Sequence, residues 1–350
     1  MEWAECLEWE ACLASKNWKS RGLLLGIFFV SSLFAEERIE LVSNGVCSAE
    51  SCEQMLRDIK VVECDLTSIQ KKRSFWGKIL EKLPLRIDKD VKKIVFMNIP
   101  PNAHRNFNLH KLPKEKMVLF MWEPPIRMRK MYSPSVQRCF SKIYTWNDDL
   151  VDNKNYFKFY YPHKRPMLEN LPSFEEKKFC TLIVGATSDK SRHHPNELYS
   201  ERIKAIRFFE AIQEEGFEFY GRNWDPSAYP SYHGPVEDKL AINKQYKFTI
   251  CYENCRDLPG YVTEKIFDCF AAGSLPIYWG ANNVETYIPK DCFIDRRAFS
   301  TMEELYTFLK SMTAEEYEGY LERICAYLDS DQAQVFSPEH YEKIIQEAIR

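Results

Sequence analysis

The chain has 350 residues, 45% of them hydrophobic and 28% charged, with a formal net charge of −3. That length can bury one large core or two modest ones, and the slight acidity excludes a nucleic-acid-binding surface as the organising feature. Twelve cysteines without a C-x₂-C pair argue against structural zinc and for free thiols, although Cys47 and Cys52 are close enough to bridge.

Met1 to Ser20 mixes tryptophan and glutamate, then Lys16 and Lys19, and leads into the apolar run Leu23–Ala35. That run is shorter than the roughly 20 residues a membrane span needs. Basic residues before it and a small residue before Glu36-Glu37 fit a secretory signal or a short signal-anchor. Residues 1–37 are therefore expected to be a leader with possible membrane association through Leu23–Ala35. A buried helix of the first domain is the alternative.

From Arg38 to Leu171 short apolar runs alternate with charged helical stretches. Strands are expected at Lys60–Cys64, Lys93–Met97, Met117–Trp122, Lys142–Trp146 and Phe157–Tyr161, and helices at Ala49–Asp58 and Gly77–Lys82. This reads as an α/β domain spanning 38–171. Its strand Met117–Trp122 runs into Glu123-Pro124-Pro125, which places a carboxylate at the carboxyl end of a strand, where open α/β sheets hold ligands. Pro162 to Lys178, with three prolines and mixed charge, reads as a linker.

A second α/β domain, 172–328, opens with a strand at Thr181–Val184 and a polar loop. Leu198–Glu214 follows as a helix with Ile203, Ile206, Phe209, Ala211 and Ile212 on or near one face. Arg202 near its start opposes the helix dipole unless an anion is present, or it is a surface arginine paired with Glu201. The strand Phe217–Tyr220 ends in Gly221-Arg222, and Arg222 could reach a phosphate or a base.

The most informative stretch is Tyr246–Gly280. Phe248–Tyr252 is a buried strand, Pro259-Gly260 a turn, and Thr263 the cap of a helix whose stripe is Ile266, Phe267, Phe270 and Ala271. Gly273 ends that helix and Ser274–Trp279 is the next strand. Strand, helix, strand at this length is a βαβ unit with parallel strands. Glu264 suits the helix N-terminus, whereas Lys265 adds like charge to it. A lysine there either turns to solvent or serves an anion, most simply a phosphate.

Asp329-Ser330-Asp331 resembles a metal-binding D-x-D but follows the helical stretch Glu315–Leu328, far from a strand end, and reads as a solvated turn. His193-His194 lacks a third ligand at a useful spacing. The tail 329–350 carries a helix, Ser337–Ile349, with Tyr341, Ile344, Ile345 and Ala348 on one face.

These residues carry a resemblance. Glu253-Asn254, Tyr261-Val262-Thr263-Glu264-Lys265, Ala272-Gly273, Pro276 and Gly280 stand in the register of the donor-binding core of the α-1,3/1,4-fucosyltransferases, glycosyltransferase family 10. The resemblance implies a GT-B fold, in which two Rossmann-like domains face a cleft and a C-terminal helix crosses back to the first. It also implies an inverting transfer of L-fucose from GDP-fucose to a hydroxyl of an acceptor glycan.

The roles it implies can be stated residue by residue. Glu123, in a Trp-Glu-Pro-Pro stretch similar to the family's F-E-S-P, is the general base. Arg202 and Lys265 clamp the diphosphate, and Arg222 is a weaker candidate. Glu253 and Asn254 shape the pocket, and Tyr261, Thr263 and Glu264 position the donor. No metal or other cofactor is expected, because two cations and a helix end can replace one. Eukaryotic relatives are commonly membrane-anchored in the Golgi, whereas bacterial relatives often lack an anchor. A transferase using another nucleotide sugar and a non-catalytic nucleotide- or glycan-binding module are the alternatives.

Overall fold

The computed structural model describes the backbone of residues 26–32, 38–43 and 59–64, and residues 91–99, 109–187, 194–214 and 216–350. It divides into two compact units. One holds the described residues up to Tyr160 together with Glu339–Arg350, and the other holds Tyr161–Pro338.

The N-terminal unit is built on a seven-stranded sheet of β1 (Gly26–Ser32), β2 (Arg38–Ser43), β3 (Ile59–Cys64), β4 (Val91–Met97), β5 (Met117–Met121), β6 (Lys142–Thr145) and β7 (Tyr156–Lys158). The spatial order is β3-β1-β2-β4-β5-β6-β7. β1 runs antiparallel to β2 and β3, and the remaining pairs are parallel.

The centre of Leu23–Ala35 is therefore a strand paired on both sides, not the buried helix given as the alternative reading. Apolar runs this short do not distinguish strand from helix by periodicity, and Phe28, Phe29 and Val30 favour the strand. Among the described residues, no helix is long and apolar enough to cross a membrane. The expected helices Ala49–Asp58 and Gly77–Lys82, and the rest of the leader, lie outside the described residues.

β5 is buried along its whole length, as expected of a continuous apolar run at the centre of a parallel sheet. Ile94, Phe96, Leu119 and Met121 pack with Met131, Val136, Phe140 and Ile143. Two short helices lie beside this core, α1 (Pro125–Met128) and α2 (Pro134–Gln137), each with proline in its first turn, where the missing N–H costs nothing.

The C-terminal unit has a five-stranded, all-parallel sheet: β8 (Lys178–Ile183), β9 (Phe217–Tyr220), β10 (Tyr246–Tyr252), β11 (Leu275–Trp279) and β12 (Ile294–Asp295), in the order β12-β11-β10-β8-β9. The chain steps from β8 outward to β9, then returns to the other side of β8 for β10. This reversal creates a topological switch point between β8 and β10. Its helices are α3 (Tyr199–Ala211), α4 (Lys239–Asn243), α5 (Glu264–Ala271), α6 (Met302–Ser311) and α7 (Ala314–Asp329).

Pro162–Lys178, read as a linker, is packed against this unit. Lys164 N donates to Phe336 O at 2.8 Å and Leu168 N to Ala271 O at 2.7 Å. Arg165 pairs with Asp268 at 2.7 Å. Leu171 packs so closely on Gly273 that a Cβ there would stand 2.2 Å from its Cδ1.

The C-terminal helix α8 (Pro338–Ile349) belongs to the N-terminal unit from Glu339 onward. Tyr341, Ile344, Ile345 and Ala348, one face by sequence spacing, are buried. The Tyr341 ring meets Phe120, Trp122 and Phe159 at centroid distances of 5.9, 5.4 and 6.2 Å. Tyr341→Ala should leave a void among these rings and destabilise the N-terminal unit by about 3–5 kcal/mol in urea unfolding. A loss below about 1 kcal/mol would show that α8 does not seal this core.

Candidate functional site

In the N-terminal unit, Glu123 is held by its backbone. Asn98, just past β4, adopts a left-handed conformation (φ 63). Its Oδ1 accepts from Trp122 N at 2.8 Å and Glu123 N at 2.9 Å, and its own N–H donates to Phe120 O at 2.8 Å. Asparagine tolerates this conformation because its short amide can bond locally. Tyr132 Oη donates to Glu123 O at 2.8 Å, and Trp146 Nε1 to Trp122 O at 3.0 Å. The carboxylate itself is partly exposed, with Arg127 Nε 3.9 Å away. A carboxylate on a pinned backbone with solvent access is suited to accept a proton.

In the C-terminal unit, a cavity of 330 Å³ opens at the switch point. It is lined by Val184 and Gly185 beyond β8, Gly221 and Arg222 beyond β9, Tyr252 and Asn254 at the end of β10, and Arg202, Glu264 and Lys265 from α3 and α5. Gly221 makes the wall possible. At its φ of +143, a Cβ would fall 1.8 Å from Val184 O.

Lys265 is braced from behind. The Glu253 carboxylate, fully buried at the end of β10, accepts from Thr263 N at 2.8 Å and Lys265 Nζ at 2.9 Å, and lies 2.8–2.9 Å from Thr263 Oγ1. Lys265 Nζ also reaches Thr263 Oγ1 at 2.9 Å and Glu264 Oε1 at 3.3 Å. Burial alone would push the ammonium down, but Glu253 and then Glu264 hold it above its ordinary value, so it stays charged. Glu264 is opposed by its own burial yet lies well below the usual carboxylate range, because Lys265, Lys239 and His163 surround it. His163 is pushed down to about 4, chiefly by burial, with Glu264 working in the other direction.

Gly280 gives this cluster its room. A Cβ there would stand 2.6 Å from Glu253 Cγ and 2.4 Å from Tyr278 Oη. Thr263 caps α5 as expected, with its hydroxyl facing Lys265 N at 3.5 Å.

Arg202 is buried within the inner stripe of α3, alongside Tyr199, Ala205, Ile206 and Phe209. Its Nη2 donates to Tyr252 O at 2.5 Å and Asn254 Oδ1 at 3.2 Å, whereas the buried Nε has no partner. Burial lowers its pKa. The surface pairing with Glu201 does not occur, since Glu201 binds Lys204 at 2.7 Å. Of the face read in sequence, Ile206 and Phe209 are buried, whereas Ala211 and Ile212, at the end of the helix, are exposed.

The candidates read from sequence therefore separate. Arg202, Arg222, Asn254, Glu264 and Lys265 line the cavity. Glu253 and Thr263 stand behind Lys265. Tyr261 is buried, its ring edge-on to Tyr161 at 6.3 Å, away from the cavity lining.

Sequence reasoning passed over Lys239, Asn243 and Asp268 on the wall, and Arg165, which binds Asp268 from 103 residues away. Asp268 was legible one turn beyond Glu264 on the same helix face. Arg165 had no local signal. Cys251 and Cys255 are buried free thiols. Among the described residues no group of three or more His, Cys, Asp or Glu could hold a metal, and Asp329 and Asp331 flank the boundary between α7 and a short 3₁₀ turn. His193 lies outside the described residues.

Residues 198–327 match the family model described as Glycosyltransferase family 10 (fucosyltransferase) C-term. The segment contains the cavity's cations and helix α5, and the resemblance read from Tyr246–Gly280 is borne out. An alpha-(1,4)-fucosyltransferase of Arabidopsis thaliana is 42% identical over 67 residues, 19% of this chain and 16% of its own length. The alpha-(1,3)-fucosyltransferase FucT of Helicobacter pylori is 36% identical over 75 residues, covering 21% and 16%. A 4-galactosyl-N-acetylglucosaminide 3-alpha-L-fucosyltransferase 9 of Mus musculus is 27% identical over 204 residues, covering 57% and 50%. The chain thus spans half or less of the length of these curated relatives.

Among solved structures, an alpha-glucosyltransferase in complex with UDP-glucose and DNA containing an abasic site aligns over 77% of this chain and 83% of its own, at 12% identity and a TM-score of 0.51. That likeness bears out the α/β fold of GT-B type. An alpha1,3-fucosyltransferase with GDP-fucose covers 82% and 88% at 18% identity and a TM-score of 0.48.

Glu253→Ala should strand Lys265 without its buried counter-charge. We expect a loss of about 3 kcal/mol in urea unfolding, the lower end for a broken buried pair because Lys265 is partly exposed. Adding Lys265→Met should recover part of that loss. A Glu253→Ala protein as stable as the parent would refute the bracing role.

Proposed function

We propose that the protein is an inverting glycosyltransferase that moves L-fucose from GDP-fucose to a hydroxyl of an acceptor glycan, forming an α-1,3 or α-1,4 linkage. The observation that carries this reading is the wall built from Arg202, Lys265 and the N-terminus of α5 around one cavity, inside the segment that matches the family-10 model. Helix N–H groups, a lysine held in its charged form and a buried guanidinium with an uncommitted Nε–H are donors suited to a diphosphate.

In this reading Arg202 and Lys265 hold the diphosphate, and Glu253 and Thr263 act through Lys265. Arg222 and Asn254 line the donor's path, and Glu264 accepts from a sugar hydroxyl. Tyr261 contributes by packing rather than by touching the donor. The acceptor oxygen attacks the anomeric carbon as the bond to the β-phosphate oxygen breaks. Glu123 takes the acceptor's proton, and GDP departs with the electron pair of the broken bond. Charge that accumulates on the diphosphate is met by donors already in place, which is where such sites lower the barrier most. The same cations supply the positive charge that a divalent metal gives in other transferases, so we propose transfer without one.

The test has a binding and a turnover arm. GDP and GDP-fucose at about a hundred times their Kd should raise the melting temperature by about 5 °C, with UDP and UDP-sugars far less effective. Glu123→Gln should bind GDP as the parent does while transfer falls by about 10²–10⁴. EDTA should leave parent turnover unchanged. Preferential stabilisation by UDP-sugars would redirect the donor assignment, and normal turnover by Glu123→Gln would remove the base.

A further inference from the structure

The switch-point cavity contains one buried acceptor that the diphosphate clamp leaves unused. Asn243, the last residue of α4, is 4% exposed and lines the same cavity as Arg202 and Lys265. Its Oδ1 is buried without a hydrogen-bond partner. The helix that carries it is well fixed. Asp238 caps it through Ala241 N at 3.0 Å, and Gln245 Nε2 donates back to Ala241 O at 2.9 Å. Leu182, Thr249, Cys269, Lys239 and Asp268 line the same cavity.

A buried amide oxygen without a donor lowers stability, whereas an apolar side chain of similar size would fill the same space without that cost. Its position on a cavity wall gives the oxygen a use: a ligand can bring the missing donor. A phosphate or carbonyl oxygen cannot satisfy it, because these only accept hydrogen bonds. The complementary group is an N–H of a base edge or an O–H of a sugar.

Resting on the proposed function, we propose that Asn243 is a specificity-determining residue of the donor cavity, its Oδ1 accepting a hydrogen bond from an N–H or O–H of the nucleotide sugar. A ligand that lacks this group leaves the oxygen unpaired and is discriminated against, which is how buried polar groups reject close analogues.

Calorimetric titration of GDP, IDP, 2′-deoxy-GDP and GDP-fucose into the full chain and into Asn243→Leu tests this. The variant should lose roughly tenfold in affinity for GDP, or for GDP-fucose alone, while its melting temperature without ligand stays level or rises. A preference for GDP over IDP that vanishes in the variant assigns the bond to the guanine amino group. A vanished preference over 2′-deoxy-GDP assigns it to the ribose, and a loss confined to GDP-fucose assigns it to the sugar. An equal loss for all four ligands assigns it to the part they share. Should Asn243→Leu fail to fold, Asn243→Ala is read in the same way. Parent-like affinity of the variant for all four ligands would overturn the proposal and leave the functional reading standing. A parent chain that binds none of them would overturn both.

Discussion

The C-terminal unit is organised around a carboxylate with no access to water. Glu253 sits at the end of β10, and its charge is met by the backbone and hydroxyl of Thr263 and by the ammonium of Lys265. Uncompensated, such a charge would be prohibitive in this environment. The compensation ties three elements together: the end of β10, the first turn of α5, and the turn after β11, where Gly280 leaves space for the Glu253 side chain. Each element's position depends on the same contact.

That constraint explains how a lysine can occupy the first turn of a helix, where its charge opposes the dipole. Glu253 and Glu264 offset the repulsion and fix the ammonium at the rim of the cavity. Arg202 reaches the cavity by a different route, as a charged member of an otherwise apolar stripe on α3, with Tyr252 O and Asn254 Oδ1 as its anchors. Both cations are held by the protein before any ligand arrives, so little reorganisation is needed when an anion binds.

Much of this was legible because local chemistry and tertiary role agree over Tyr246–Gly280. The strand residues are aromatic and β-branched, Thr263 is a good cap, and Gly273 takes the left-handed conformation that ends the helix (φ 57). Elsewhere they diverge. Ala211 and Ile212 follow the apolar period but lie past the buried turns of α3, and Arg202 takes an inner position that composition would give to a hydrocarbon. Asn98 organises the Glu123 backbone from 25 residues away, and no periodicity carries that information. Within Leu23–Ala35 composition alone does not separate helix from strand, and the pairing of β1 with β2 and β3 supplies what the sequence lacks.

The central claim is that the cavity is built for the diphosphate more than for the nucleoside. Calorimetric titration of GDP and of guanosine into the same preparation tests this most directly. The account predicts that GDP binds at least a hundredfold more tightly than guanosine and that Lys265→Met abolishes most of the difference. Equal affinities for the two ligands, or an undiminished preference for GDP in Lys265→Met, would contradict it.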